Sequence, residues 1–400
     1  MGFVMRTSVS VTRRRTVILL GEMATEHVIT EADVLAALSR VEDPEIGKPI
    51  TELDMVESVR IDGADVAVGI YLTIAGCPMR DTIEGNTRAV LEELDGVGEV
   101  SVALHTMSDE QRRALALKLR GEQTGPAIPF ADPDTRTRIY AVASGKGGVG
   151  KSSMTVNLAT ALAAQGLTVG IVDADIYGHS VPGLMGSDDK GPTVVDEMIM
   201  PPIAHGVRHI SVGQFVEGNA PIVWRGPMLT RAIQQFLADV YWGDLDVLFM
   251  DLPPGTGDVA ITVAQLVPNA ELLIVTTPQA AAAEVAERAG TIAQQTDQKI
   301  AGVIENMSGM TMPDGTVMHI FGEGGGQQVA ERLTQLTDSD VALLGSIPLD
   351  PKLRERGDTG SPVVISEPDS PAAKAIQAVA DKLKVRRESL AGKSLNPQVK

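Results

Sequence analysis

The sequence predicts an α/β protein with two folded parts: a small N-terminal α+β domain and a larger, mostly parallel, doubly wound sheet. Short unbroken aliphatic runs recur through the second part, as strands buried on both faces require. Helical stretches separate those runs in a strand-turn-helix rhythm. The 40 glycines and the 3% aromatic content fit tight turns over aliphatic cores.

The bulk numbers narrow the class. A chain of 400 residues with 44% hydrophobic content has room for two or three domains with large cores. Its net charge of −18 disfavours general binding to nucleic acid or anionic membrane. There is one cysteine, Cys77, so no intrachain disulfide can form, which fits a reducing cytoplasm. No apolar run approaches the roughly 20 residues of a spanning helix. "TRRRTVILLG" (12–21) is basic and then briefly apolar, shorter than a secretory core. Residues 1–22 read as a disordered extension.

From residue 23 to 118 the pattern is that of the small domain. Thr30 with Asp33 can cap a helix running to about Ser39. "SVRID" and "DVAVGIYLTI" alternate as strands about a turn at Gly63. Met79 to Leu94 reads as a helix and "EVSVAL" as a further strand. Residues 119–137, rich in Pro, Gly and charge, read as a linker. The second domain spans 138–388, with strands expected at "RIYAVAS", "TVGIVDA", "HISVGQF", "LDVLFMD", "ELLIVTT", "KIAGVIEN" and "VALLGSIP". Helices are expected at "SMTVNLATALAAQG", "AAAAEVAERAGTIAQQ" and "AAKAIQAVADKLK", before a flexible tail over 389–400.

"GKGGVGKS" (145–152) fits the phosphate-loop pattern G-x-x-x-x-G-K-S and sits between a strand and a helix. In such a loop Gly145, Lys146, Gly147, Gly148, Val149, Gly150, Lys151, Ser152 and Ser153 surround a nucleotide phosphate at a helix N-terminus. Lys151 is expected to reach the β- and γ-phosphates of ATP, and the Ser152 hydroxyl to hold Mg²⁺. "DADIYGHS" places Asp173 and Asp175 at one strand end, and "DLPPGTGD" places Asp251 at another. Open α/β sheets put ligands at strand C-termini.

The second lysine, Lys146, is not needed by an ordinary phosphate loop. With it the loop resembles the deviant Walker A ATPases, the group of MinD, ParA and the nitrogenase iron protein. The resemblance implies a homodimer in which Lys146 crosses to the partner's nucleotide. It implies Asp251 as the Walker B carboxylate on Mg²⁺ and Asp175 as the group that orients the attacking water. Asp173 and Asp258 become supporting acids, with Gly255 and Gly257 letting their loop move. "WRGPM" (224–228), "TTPQ" (276–279), "ENMS" (305–308), "IFGEGGG" (320–326) and "GSIPLDP" (345–351) narrow the resemblance to the Mrp/ApbC branch, implicated in carrying iron–sulfur clusters. That branch implies Asn306 at the adenine base and Pro348 to Asp350 near base or ribose.

"DPEIGKPITELDMV" (43–56) and "TIAGCPMRD" (73–81) resemble the iron–sulfur assembly domain once called DUF59. Cys77 matches its characteristic cysteine. It stands before a helix, where a thiolate can be stabilised, or it is a buried small hydrophobe. Cluster-carrying relatives also have a Cys-x-x-Cys pair after "ENMS". Here Met312 and Gly315 occupy those places, and neither supplies a thiolate. His319 lies nearby in the sequence. Two functions follow. One is a dimeric, slow ATPase acting in iron–sulfur cluster assembly or transfer, with apoproteins or assembly factors as partners. The other is an ATP-switched adaptor that holds no cluster itself.

Overall fold

A computed structural model describes residues 29–384, apart from 75, 121–127, 133, 176–177, 189–190, 216–225, 256–257, 280–281 and 313. The expected extension over 1–22 and tail over 389–400 lie outside the described residues. By packing, the chain forms two units. One holds residues 49–71 and 81–105 with the segment up to 41, and the other holds 106–400 with segments 42–48 and 72–80.

In the first unit α1 (Glu31–Leu38) begins with the expected capping box, in which Thr30 and Asp33 bond reciprocally. Short strands β1 (Glu42–Asp43) and β2 (Lys48–Pro49) come next in the chain. Then β3 (Val56–Asp62) pairs antiparallel with β4 (Asp65–Leu72). After α2 (Arg80–Glu92), β5 (Val100–Thr106) completes a sheet of order β3-β4-β5. Alternation puts Val66, Val68 and Ile70 of β4 inward, and Leu38, Ile50, Met55, Ile83 and Leu91 are buried in the same unit. The chain continues into α3 (Asp109–Arg120), an element the sequence patterning did not single out.

The second unit is built on β6 (Arg138–Ala143), α4 (Lys151–Ala164), β7 (Val169–Asp173) and the short α5 (Val181–Leu184). Strands β8 (Thr193–Val195) and β9 (Met198–Met200) form a hairpin, and β10 (Ile203–Ala204) and β11 (Val207–Ser211) follow. Next come α6 (Gly226–Ala238), β12 (Val247–Asp251), α7 (Asp258–Leu266), β13 (Glu271–Thr276), α8 (Ala282–Thr296) and β14 (Ile300–Ser308). A second hairpin, β15 (Met310–Thr311) with β16 (Val317–Met318), leads to α9 (Gly325–Thr337) and β17 (Leu343–Pro348). Helices α10 (Pro351–Asp358), α11 (Val363–Ser366) and α12 (Pro371–Leu383) close the chain.

The main sheet has the order β10-β11-β7-β12-β6-β13-β14-β17. All its pairings are parallel except β10 with β11. One expectation is corrected: the "HISVGQF" strand ends at Ser211, and Val212–Phe215 turns as a 3₁₀ helix. Ser211 Oγ accepts from Gly213 N and Gln214 Oε1 accepts from Ser211 N, so these side chains bend the chain where apolar content alone predicts a strand.

Because β6 is central, alternate residues serve opposite cores. Ile139, Ala141 and Ala143 join a cluster with Phe236 of α6, Val263 of α7, Ile292 of α8 and Leu333 of α9. Tyr140 and Val142 join another with Leu158 and Leu162 of α4 and with Ile376 and Val379 of α12. This two-sided burial is why the strand sequences are continuously aliphatic.

Two glycines press together where the α5 and α10 turns meet. Gly360 has φ +65°, and a Cβ on it would stand 2.2 Å from Gly186 Cα. A left-handed φ and a backbone clash act together, at about 1–3 kcal/mol each. Gly360→Ala should therefore lower the thermal midpoint by about 4–24 °C. A shift under about 2 °C in a melting curve would show that the two turns separate easily.

Candidate functional site

The glycine-rich loop runs from the end of β6 into α4. Its carbonyls are taken up by donors from elsewhere in the second unit. Ser144 Oγ donates to Lys146 O (3.0 Å), Arg288 Nη1 of α8 to Gly145 O (3.0 Å), and Asn306 Nδ2 of β14 to Val149 O (2.8 Å). The Gly255 amide donates to Ser144 O at 3.0 Å, tying the turn after β12 to the loop. Engaged carbonyls suit an anion-binding loop, because carbonyl oxygens repel phosphate and amides attract it. Gly150 must be glycine: its φ is +79°, and a Cβ would meet Asn306 Nδ2 at 2.3 Å.

Three of the expected residues converge behind the loop. Lys151, 6% exposed, places Nζ 2.7 Å from Asp251 Oδ1, and Asp251 is fully buried. Ser152 Oγ donates to Asp251 Oδ2 at 2.5 Å. Thr155, one helical turn past Lys151, donates to Asp251 Oδ1 at 2.8 Å. Asp175 lies at the edge of this group, with Oδ2 4.0 Å from Lys151 Nζ. Its Oδ1 accepts from Gly178 N, so the carboxylate closes a tight turn of its own loop.

Register sets Asp173 beside Asp251, as their Cα atoms are partners across β7 and β12. Asp173 Oδ2 accepts from Ser211 Oγ (3.0 Å) and Val181 N (3.3 Å), and Oδ1 accepts from Asp175 N (3.1 Å). Burial first, and the Asp251 charge second, push its carboxyl up to about 8. The hydroxyl of Ser152 and the carboxylate of Asp251, paired and both hard oxygen donors, fit a Mg²⁺ site.

Lys146 is half-buried and makes no ion pair among the described residues. Gly147 and Gly148 are exposed, whereas Val149 is buried. Asn306 is 3% exposed; with Nδ2 spent on Val149 O, its Oδ1 is buried without a partner and can accept from an amino group. Pro348 and Asp350 line a cavity of about 360 Å³ together with Met310, Thr311, Lys352 and Glu367. Asp350 Oδ1 caps α10 through Lys352 N, and its Oδ2 is buried without a partner. Gly257 and the side chain of Asp258 lie outside the described residues, as do Trp224 and Arg225.

Cys77 is not brought to the phosphate loop's group. It is 7% exposed, between β4 and α2. Burial raises its thiol above the ordinary range; the Met79 amide lowers it, and the charges of Glu45 and Asp43 raise it further. Of the two expected environments, the helix-end stabilisation is present but burial outweighs it, so the sulfur is held as a thiol. Met312 and Gly315 frame the β15–β16 turn, with Gly315 N donating to Met312 O at 2.9 Å. His319 pairs with Glu323 at 3.4 Å. Among the described residues no group of three or more His, Cys, Asp or Glu is placed to hold a metal ion, and no helix is long and apolar enough to cross a membrane.

Sequence patterning missed several of these groups. Thr155 lies just past the phosphate-loop residues, and Ser211 lies inside a stretch read only as a strand. Arg288 sits on a stretch read only as a helix. Asp43 and Glu45 were visible as part of a motif, without any sign that they neighbour Cys77.

Comparison with known proteins adds to this geometry. A family model described as the NUBPL iron-transfer P-loop NTPase matches residues 135–384, and one described as an iron–sulfur cluster assembly protein matches 31–102. An iron–sulfur cluster carrier protein of Mycobacterium tuberculosis H37Rv is 62% identical, covering 91% of this chain and 96% of the relative. Another so named, from Synechocystis, is 38% identical over 89% of this chain and 97% of its own length. A nucleotide-binding protein of Archaeoglobus fulgidus, solved with ADP, is 37% identical with a TM-score of 0.50, over 58% of this chain and 90% of its own.

Glu45 supplies a pH test. Burial, then the Asp43 charge, raises its carboxyl from 4.5 to about 7. Between those values the folded chain binds more protons than the unfolded one, so rising pH costs stability in that window. Glu45→Gln cannot ionise. Its thermal midpoint should gain on wild type from about pH 4.5 to about pH 7. Parallel curves for the two proteins would mean that Glu45 ionises normally.

Proposed function

The chain belongs to the family of NUBPL-type iron-transfer P-loop NTPases, and from that premise we propose that it binds and hydrolyses ATP as a homodimer and transfers iron–sulfur clusters to apoproteins. The observation that carries this reading is the buried Lys151–Asp251–Ser152 group at the phosphate loop, in a chain 62% identical to an iron–sulfur cluster carrier protein. Residues 23–118 would form the assembly domain and 138–388 the ATPase, acting in the cytoplasm and on proteins rather than nucleic acid or membrane.

In this reading the loop amides take the phosphates and Lys151 leaves Asp251 for the β- and γ-phosphates. Ser152 and Asp251 would hold Mg²⁺, which neutralises phosphate charge when bound. Asn306 Oδ1 accepts from the adenine amino group, and Pro348 and Asp350 flank base or ribose. Asp175 orients water at the end of β7, with Asp173 and Asp258 supporting it. Lys146 enters the partner's site, so turnover waits for two chains to meet, the logic of a finger residue supplied in trans. The Gly255–Ser144 bond ties the turn after β12 to the phosphate loop.

A second reading is an ATP-switched adaptor that holds no cluster of its own. Met312 and Gly315 favour it, since neither is a thiolate, and so does the raised thiol of the single Cys77. Anaerobic reconstitution of wild type and Cys77→Ser, with iron and sulfide counts, separates the two. A cluster on wild type that Cys77→Ser loses supports transfer with Cys77 as a ligand; no cluster on either protein supports the adaptor.

The two lysines should differ in their effects. Lys151→Ala should weaken ATP binding at least tenfold, about the loss of one charge-assisted contact. Lys146→Ala should bind ATP nearly as wild type and lose at least about tenfold in turnover. Equal turnover in wild type and Lys146→Ala would rule out the contribution in trans.

A further inference from the structure

We propose that Thr155 is a positioning residue for Asp251: the donor that stays when nucleotide and metal take the other two. The proposal rests on the ATP and Mg²⁺ reading above and adds a residue that the phosphate-loop pattern does not contain.

Among the described residues, the Asp251 carboxylate has three donors. Lys151 Nζ (2.7 Å) and Thr155 Oγ1 (2.8 Å) meet Oδ1, and Ser152 Oγ (2.5 Å) meets Oδ2. Two of them have other work once Mg·ATP arrives: the lysine turns to phosphate and the serine to the metal. Thr155 has no such alternative, because it is fully buried on α4 and faces β12. Its hydroxyl has one proton and two acceptors in reach, Lys151 O at 3.1 Å and Asp251 Oδ1 at 2.8 Å. The nearer acceptor is also charged, so the proton goes to the carboxylate.

The carboxylate needs that donor. It is fully buried, and its neighbour across the sheet is another acid, Asp173. A buried charge that loses its donors rotates or takes up a proton. With Thr155 on Oδ1, Oδ2 stays on the Ser152 side. Thr155 thus acts on the metal through Asp251 and touches neither metal nor phosphate.

The test is titration of full-length protein with a fluorescent N-methylanthraniloyl-ADP, in excess chelator and then across Mg²⁺ concentrations. Thr155→Val keeps the shape and removes the hydroxyl; Thr155→Ser keeps the hydroxyl and removes the methyl. Expected is metal-free affinity equal to wild type in both variants. Thr155→Val should need about tenfold more Mg²⁺ for half-maximal strengthening of binding, as loss of one hydrogen bond to a charged group implies. Thr155→Ser should stay within about twofold of wild type. Should Thr155→Val not fold, Thr155→Ala against Thr155→Ser isolates the same hydroxyl. An unchanged Mg²⁺ requirement in Thr155→Val, or an equal rise in Thr155→Ser, overturns the proposal. Wild type that binds no nucleotide would overturn the ATP reading and this inference together, an outcome distinct from the other two.

Discussion

The structure around the phosphate loop depends on one interaction: a fully buried carboxylate, Asp251, held by an ammonium and two hydroxyls. A buried charge is tolerable only when it is paired and its lone pairs are filled. That requirement explains much else. It brings Lys151 inward to 6% exposure, sets Ser152 and Thr155 on one face of α4, and binds α4 to β12 at the centre of the sheet. Asp173 beside it eases the like-charge conflict, because burial and the Asp251 charge favour its protonated form. The group is thus electrostatically closed on itself. In the proposed reaction, ATP replaces an internal partner of Lys151 rather than entering an open cation.

Much of this was legible in the sequence, for a physical reason. A loop that must pass phosphate near its backbone needs glycines at fixed places, and the residues at strand ends announce themselves because the strands before them are so uniformly aliphatic. The doubly wound sheet, the capping box at Thr30 and the acids at the ends of β7 and β12 could all be read that way. What escaped depended on side chains folding back onto the backbone or meeting across long sequence distances. Ser211 and Gln214 stop β11 inside an apolar run. Arg288 reaches Gly145 from a helix 143 positions away. No periodicity encodes such meetings.

The surroundings of Cys77 pose the opposite electrostatic problem. Near the phosphate loop a charge is buried and satisfied; around Cys77 burial and two neighbouring acids work against charge. Glu45 is lifted to about 7, Asp43 is raised despite two backbone donors, and the thiol rises with them. A positive ion bound among these groups would favour their charged forms. Cluster iron in the proposed transfer would be such an ion, and its binding would then release protons.

The bond from the Gly255 amide to the Ser144 carbonyl joins the turn after β12 to the glycine-rich loop through main-chain atoms alone. Most side-chain replacements leave both atoms in place, so an alanine scan reaches this coupling mainly at Gly255, whose φ of +95° strains any side chain. Backbone chemistry, such as an ester in place of the amide, would remove the bond directly. Natural variation can reach it only indirectly, through residues that steer the chain, here the rigid Pro253–Pro254 pair just before it. A coupling built this way is largely hidden from the genetics usually used to find one.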